Sequence, residues 1–248
     1  MNIQQPAIKI FAAGSLNTTM TQIKSQLEQL TQRSITFTFG PAGLLCKNIQ
    51  SGMDCDLFLS ANMAHPQHLQ SITTMKNIMP FCHNSLCLTI ARRHYQPHKT
   101  WLDYISNPTL LLATSTPNSD PSGDYTWQLF DKIAQYNKPL SDHLKKAALP
   151  LVGGVNTLTV PTGYTAASFL IQHHNIDIFI GYSHYQSILT SDPELIVIPI
   201  PAQDNIFATY GLAYNDELAL PIVNYLLSTS GQHCLQQAGF NSIHQTME

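Results

Sequence analysis

The chain has 248 residues, enough for one large domain or for two lobes of roughly 100–150 residues, and for a sizeable core. Hydrophobic residues make up 44% and charged residues only 11%, well under the ~25% of an ordinary globular domain, so Gln, Asn, Ser, Thr and His must cover much of the surface. A formal charge of -3 excludes a global field that would draw nucleic acid or an anionic membrane, and no run reaches the ~20 apolar residues of a membrane span.

The start, Met1-Asn2-Ile3-Gln4-Gln5-Pro6, has neither a basic nor an apolar leader region. The protein therefore reads as cytoplasmic if this start is native, and as exported if a leader has been removed. The five cysteines, Cys46, Cys55, Cys82, Cys87 and Cys234, are odd in number and form no C-x-x-C pair, which argues against a disulfide framework or a zinc ribbon. Cys82 and Cys87 flank a predicted strand, and buried thiols are the favoured reading over a bridge.

In chain order, Ile8 to Ala12 reads as a strand, Gly14-Ser15 as a turn, and Leu16, Met20, Ile23, Leu27 and Leu30 as one face of a helix. Ile35 to Phe39 alternates as a strand, and Gly40 to Gly43 turns into a helix over about Leu44 to Ser51. Leu57 to Ser60 is a third strand, followed by another helical segment. A further strand is predicted at Leu110 to Ala113. A polar loop, Thr114 to Gly123, then precedes a helix from about Asp124 to Tyr136. Thr165 to His174 reads as a helix, and Ile176 to Ile180, Leu195 to Ile200 and Phe207 to Tyr214 as strands. Two helices close the chain, Leu218 to Ser228 and Gly231 to Ala238. Alternating strands and helices predict an α/β fold with parallel sheets and right-handed crossovers.

Ligands of open α/β sheets sit beyond the carboxyl ends of strands, where helix N-termini present unpaired N–H groups suited to an anion. Four such turns are rich in Gly and hydroxyls: Ala13-Gly14-Ser15-Leu16, Gly40-Pro41-Ala42-Gly43, Asp120-Pro121-Ser122-Gly123-Asp124 and Pro161-Thr162-Gly163-Tyr164-Thr165. None contains Lys or Arg, which argues against phosphoryl transfer and suits a receptor that must release its anion. Each turn alone is an ordinary cap; the succession of four is the signal. The eleven histidines, including His65, His68 and His173-His174, show no metal-ligand spacing and read as polar side chains facing solvent. Neither a G-x-S-x-G nor a Walker loop occurs, and no convergent acid/base or nucleophile/base pair is legible, so no catalysis and no cofactor are expected.

Several of these segments resemble the molybdate- and tungstate-binding proteins of ABC importers. They are Ile10 to Leu16, Phe39 to Leu45, Ile49 to Gly52, Cys55 to Asn62, Thr114 to Tyr125 and the closing Leu226 to Phe240. The resemblance covers nearly the whole chain in order. It implies the two-lobed type II periplasmic binding protein fold, with mainly parallel sheets flanked by helices and two crossover hinge strands, Leu86 to Ala91 and Phe207 to Tyr214. Lobe I would hold 1–85 and 209–248, and lobe II 86–208, with ligand in the cleft. It further implies a monomeric periplasmic receptor that hands molybdate or tungstate to a membrane permease and has no nucleic-acid partner.

The same resemblance makes Ser15 a hydroxyl donor beside Gly14, with helix capping as the alternative or additional role of Ser15. Ala42, beside Gly43, falls where the family usually has a second serine, so only backbone N–H groups can donate there. Ser122 and Tyr164 match backbone donors. Tyr182 matches a tyrosine hydroxyl donor, or else a strand-end aromatic packed in the core. Asp120 reads as a turn residue and Asp124 as a helix first-turn charge, because a bare carboxylate repels a dianion. The alternative is that one of them coordinates the metal of the oxyanion or accepts a proton from a protonated anion. Sulfate or phosphate receptors and a cytoplasmic anion sensor on the same fold are the competing functions.

Overall fold

The computed structural model describes residues 5–215 and 217–244; the opening Met1 to Gln4, read above for its lack of a leader, lies outside them. In chain order the first segments are β1 (Ile8–Ala13), α1 (Asn17–Thr31), β2 (Ile35–Gly40), α2 (Ala42–Gln50), β3 (Leu57–Ser60), α3 (Ala64–Ile72) and β4 (Asn77–Asn84). There follow β5 (Leu86–Ala91), α4 (Trp101–Ile105), β6 (Leu112–Ser115), α5 (Pro121–Ala134), α6 (Lys138–Ala147), β7 (Leu149–Val152), α7 (Ala166–His173), β8 (Ile178–Tyr182), α8 (Gln186–Thr190) and β9 (Leu195–Pro199). The chain closes with β10 (Ala208–Tyr214), α9 (Leu220–Leu227), α10 (Thr229–Gln237) and β11 (Asn241–Ser242).

The chain divides into two compact units, residues 1–83 with 209–248, and residues 84–208. The first unit is built on a sheet in the order β11-β4-β10-β3-β1-β2. β1 runs parallel to β2 and β3, while β10 pairs antiparallel with β3 and β11 with β4. The second unit has the order β7-β6-β8-β5-β9, parallel at β7-β6-β8 and antiparallel where β5 pairs with β8 and β9. Each sheet is thus mixed, because β10 and β5, the first strands after each passage between units, run against the strands they join.

Local chemistry explains the elements. The buried face of α1 carries Met20, Ile23 and Leu27, with Leu16 just before it, whereas Leu30 at the last turn is exposed. α5 starts at Pro121, three residues before the position that apolar periodicity suggests. Pro121 occupies the first helical position, where its missing N–H does no harm, and the Asp120 side chain caps the helix. The sequence pattern missed β4 and β7 because Pro80 and Pro150 interrupt them; β7 tolerates Pro150 as an edge strand. It also missed α6, which Asn137 caps by accepting the Leu140 N–H at 3.1 Å. Both cysteines in question, Cys82 and Cys87, are buried free thiols, and burial pushes that of Cys87 up to about 12.

The start of α5 presses on the loop after β6. A Cβ on Gly123 would fall 2.6 Å from the Ser115 carbonyl oxygen and 2.7 Å from the Pro117 nitrogen. Gly→Ala normally stabilises a helix by about 1 kcal/mol. Here the sign reverses: Gly123→Ala is expected to cost about 1–3 kcal/mol through overpacking against backbone. Denaturant unfolding followed by circular dichroism reads the difference.

Candidate functional site

In the first unit, β1 and β2 end level, with Ala13 paired to Gly40. Beyond them the chain turns twice in the same way. Gly14 to Leu16 forms a 3₁₀ turn leading into α1, and Pro41 leads into α2. The two turns are neighbours, since a Cβ on Gly14 would lie 3.8 Å from the Gly40 carbonyl oxygen. Pro41 provides no side-chain cap; its carbonyl accepts from Leu44 and Leu45, both at 3.0 Å. The N–H groups of Ala42 and Gly43, the first two residues of α2, have no carbonyl within their own helix to reach. Ser15 is not a cap. Its hydroxyl lies 2.9 Å from the Tyr210 hydroxyl, and either can donate. At the end of β3, Asn62 accepts from the Ser60 hydroxyl at 3.1 Å and from the His65 N–H at 3.0 Å, which fixes the start of α3.

The second unit treats the corresponding strand ends differently. Asp120 accepts the Ser122 N–H at 3.0 Å on its carboxylate, and its backbone carbonyl accepts from Gly123 at 2.9 Å and Asp124 at 3.3 Å. With Pro121 lacking a donor, the whole first turn of α5 is satisfied by Asp120. The Ser122 N–H expected to donate outward is therefore already engaged. Burial against Gly153, whose hypothetical Cβ would fall 2.6 Å from an Asp120 oxygen, pushes the carboxyl up to about 6 despite the bonds from Ser122 and Ser115; Asp124 nearby adds to the rise. Asp124 in turn accepts the N–H of Asn118, which has a left-handed φ of 63°, at 2.7 Å. Both carboxylates thus hold their own loop.

Tyr164 is 43% exposed, its ring lies edge-on to His173, and its N–H donates to the Pro161 carbonyl at 3.2 Å, so that donor too is engaged within the turn. Tyr182 ends β8, is 6% exposed and packs edge-on against Tyr125. Among the described residues no group of three or more His, Cys, Asp or Glu side chains could hold a metal ion. Sequence reasoning missed Tyr210, which lies 195 positions from Ser15 and carries no local signal. It also missed a network at the end of β8, where Ser85 and Ser183 hydroxyls lie 2.7 Å apart and Asn84 bonds His184 at 2.9 Å.

The Asp120 carboxyl carries a sign for stability. Its folded value, about 6, lies above the unfolded value near 3.9, so the folded state holds the proton more tightly. The contribution is fully present below pH ~4 and is lost as pH rises through ~6. Asp120→Asn keeps a capping side chain and removes the ionisation. It is expected to stabilise the protein at pH 7.5 and to matter little at pH 4, with an upper bound of about 3 kcal/mol. Thermal midpoints across that range check it.

The profile of the bacterial extracellular solute-binding protein family matches residues 8–241. An uncharacterised protein of Pasteurella multocida is 38% identical over 241 residues, which cover 96% of this chain and 100% of that one. Among solved structures, the sulfate-binding protein of Mycobacterium tuberculosis superposes with a TM-score of 0.74 at 13% identity, covering 97% of this chain and 88% of its own. The periplasmic molybdate-binding protein of Azotobacter vinelandii gives 0.68 at 14%, covering 94% and 98%. At such low identities these superpositions show the fold alone, the two-lobed α/β fold. The family match, spanning both units almost from end to end, makes this chain a bacterial extracellular solute-binding protein.

Proposed function

We propose that this protein is the periplasmic receptor of an ABC importer, and that it captures a small tetrahedral oxyanion, molybdate or tungstate, and hands it to the membrane permease. It acts in this reading as a monomer and catalyses nothing. The observation that supports it is the pair of helix starts at the level ends of β1 and β2. Gly14, Ser15, Ala42 and Gly43 there offer N–H and O–H donors with no cation among them. Neutral donors and helix dipoles hold an anion while leaving its release possible. The ordered motif resemblance to molybdate receptors favours the larger tetrahedral anions, which a wider ring of donors fits. Of the residues expected from the second unit, Tyr182 keeps a place in the proposal as a hydroxyl donor. Ser122 and Tyr164 lose theirs, because their N–H groups are engaged within their own turns.

A second reading is favoured by Asp120. A carboxylate at the strand ends repels a fully deprotonated dianion but accepts a hydrogen bond from an anion that carries its own proton, such as hydrogen phosphate.

Calorimetry at pH 7.5 against molybdate, tungstate, sulfate and phosphate separates the two. The first reading expects molybdate or tungstate to bind more tightly than sulfate or phosphate. It also expects Ser15→Ala to lose about one to two decades of affinity, with Asp120→Asn and Asp124→Ala losing less. Tightest binding of phosphate, abolished by Asp120→Asn, would establish the second reading. Tightest binding of sulfate would overturn both at the level of the ligand.

A further inference from the structure

Ser15 has one hydroxyl proton, and its neighbour decides where that proton points. A serine hydroxyl donates once and accepts on two lone pairs, and a tyrosine hydroxyl can do either. The 2.9 Å contact between Ser15 and Tyr210 therefore has two arrangements. If Ser15 donates to Tyr210, it has nothing to offer an anion. If Tyr210 donates to Ser15, the serine proton is left for another acceptor. A fully deprotonated oxyanion such as molybdate or sulfate can only accept, so its arrival selects the second arrangement, and a hydroxyl that is itself accepting becomes a stronger donor.

Tyr210 is built to hold its place. It is fully buried on β10, with its ring edge-on to Phe81 at 6.2 Å and 85° and to Phe240 at 5.4 Å and 76°. The following residue, Gly211, packs so closely on the segment between β3 and α3 that a Cβ there would meet the Met63 sulfur at 2.5 Å and the Asn62 carbonyl at 3.1 Å. β10 is also the strand that brings the chain back from the second unit, whose last residue is Ala208. The contact therefore ties the Ser15 turn to the re-entry strand.

We infer that Tyr210 is a positioning residue for the anion: its hydroxyl donates to Ser15 Oγ and so fixes the serine proton toward the ligand. This rests on the reading that the Ser15 hydroxyl meets the ligand, and it adds a residue that itself touches no ligand. A purely structural role for Tyr210 would affect affinity regardless of what stands at position 15, whereas a role exerted through the serine proton vanishes with that proton.

The test is a double-mutant cycle by calorimetry with sodium molybdate and sodium sulfate as probes, with thermal midpoints measured alongside. Tyr210→Phe is expected to weaken the tighter anion about fivefold to tenfold, and Ser15→Ala about tenfold to hundredfold, on the usual scale of hydrogen bonds to charged groups. The double variant should bind no worse than Ser15→Ala alone. Ser15→Thr, which keeps a hydroxyl, should retain the dependence on Tyr210. Additive losses, or no loss in Tyr210→Phe while Ser15→Ala is impaired, overturn the positioning role and leave the ligand reading intact. An unimpaired Ser15→Ala, or no binding of either probe to the wild-type chain, overturns the ligand reading and the positioning role together. Should Tyr210→Phe prove too unstable to measure, Phe81→Leu loosens one wall of the tyrosine pocket and leaves the hydroxyl in place. It should then produce a smaller loss that also disappears in the Ser15→Ala background, and a loss that persists there would again overturn the proposal.

Discussion

Parallel strands that end level bring the turns that follow them to one edge of the sheet, and much of this protein follows from that constraint. The register of β1 on β2, which places Ala13 beside Gly40, brings the turn at Gly14 and the turn at Pro41 to one edge of the first sheet. β3, on the other side of β1, brings Ser60 and Asn62 to the same edge. Backbone N–H groups that no helix can satisfy for itself gather there. The chain supplies Gly, Ala and Ser at these positions and no cation, so dipoles and hydroxyls set the local field. That agrees with a composition holding only 12 Lys and Arg in 248 residues.

The second unit meets the same constraint with the opposite solution. The order β7-β6-β8 also runs parallel, and α5 also begins beyond a strand end, but Asp120 turns its carboxylate and its carbonyl onto the first turn of that helix. An internal carboxylate stands where an external anion would otherwise be welcome. Its rise to about 6 records what burial against Gly153 costs the charged form, and its bonds from Ser122 and Ser115 record what holds it there. The two units thus have similar frames and unlike electrostatics at their strand ends.

Much of this was legible in the sequence, for definite reasons. Periodicity located α1 because Met20, Ile23 and Leu27 form a continuous apolar face, alternation located β2, and a short apolar run between polar segments located β3, which is buried along its whole length. Where a proline intervened, pattern failed: Pro80 and Pro150 hid β4 and β7, and Pro121 concealed a helix start that the Asp-Pro pair would have signalled as cap and first residue. Of the candidate residues, Gly14, Ser15, Ala42 and Gly43 fall together on adjacent turns, as local motifs could suggest. The engagement of Ser122 by Asp120 is local as well, but it depends on a side-chain orientation that spacing does not encode. Tyr210 could not be found that way at all, because its contact with Ser15 exists only once β10 has been inserted beside β3.

The central claim is that the helix starts of the first unit hold the anion, while the start of α5 is already satisfied from within. Backbone amide resonances of ¹⁵N-labelled protein titrated with sodium molybdate test it most directly, because each donor reports on itself. The account predicts that the largest shifts fall on Gly14, Ser15, Ala42 and Gly43, with the Ser122 amide, held by Asp120, shifting less. Largest shifts at Ser122 and Gly123, with Gly14 and Gly43 unmoved, would contradict it.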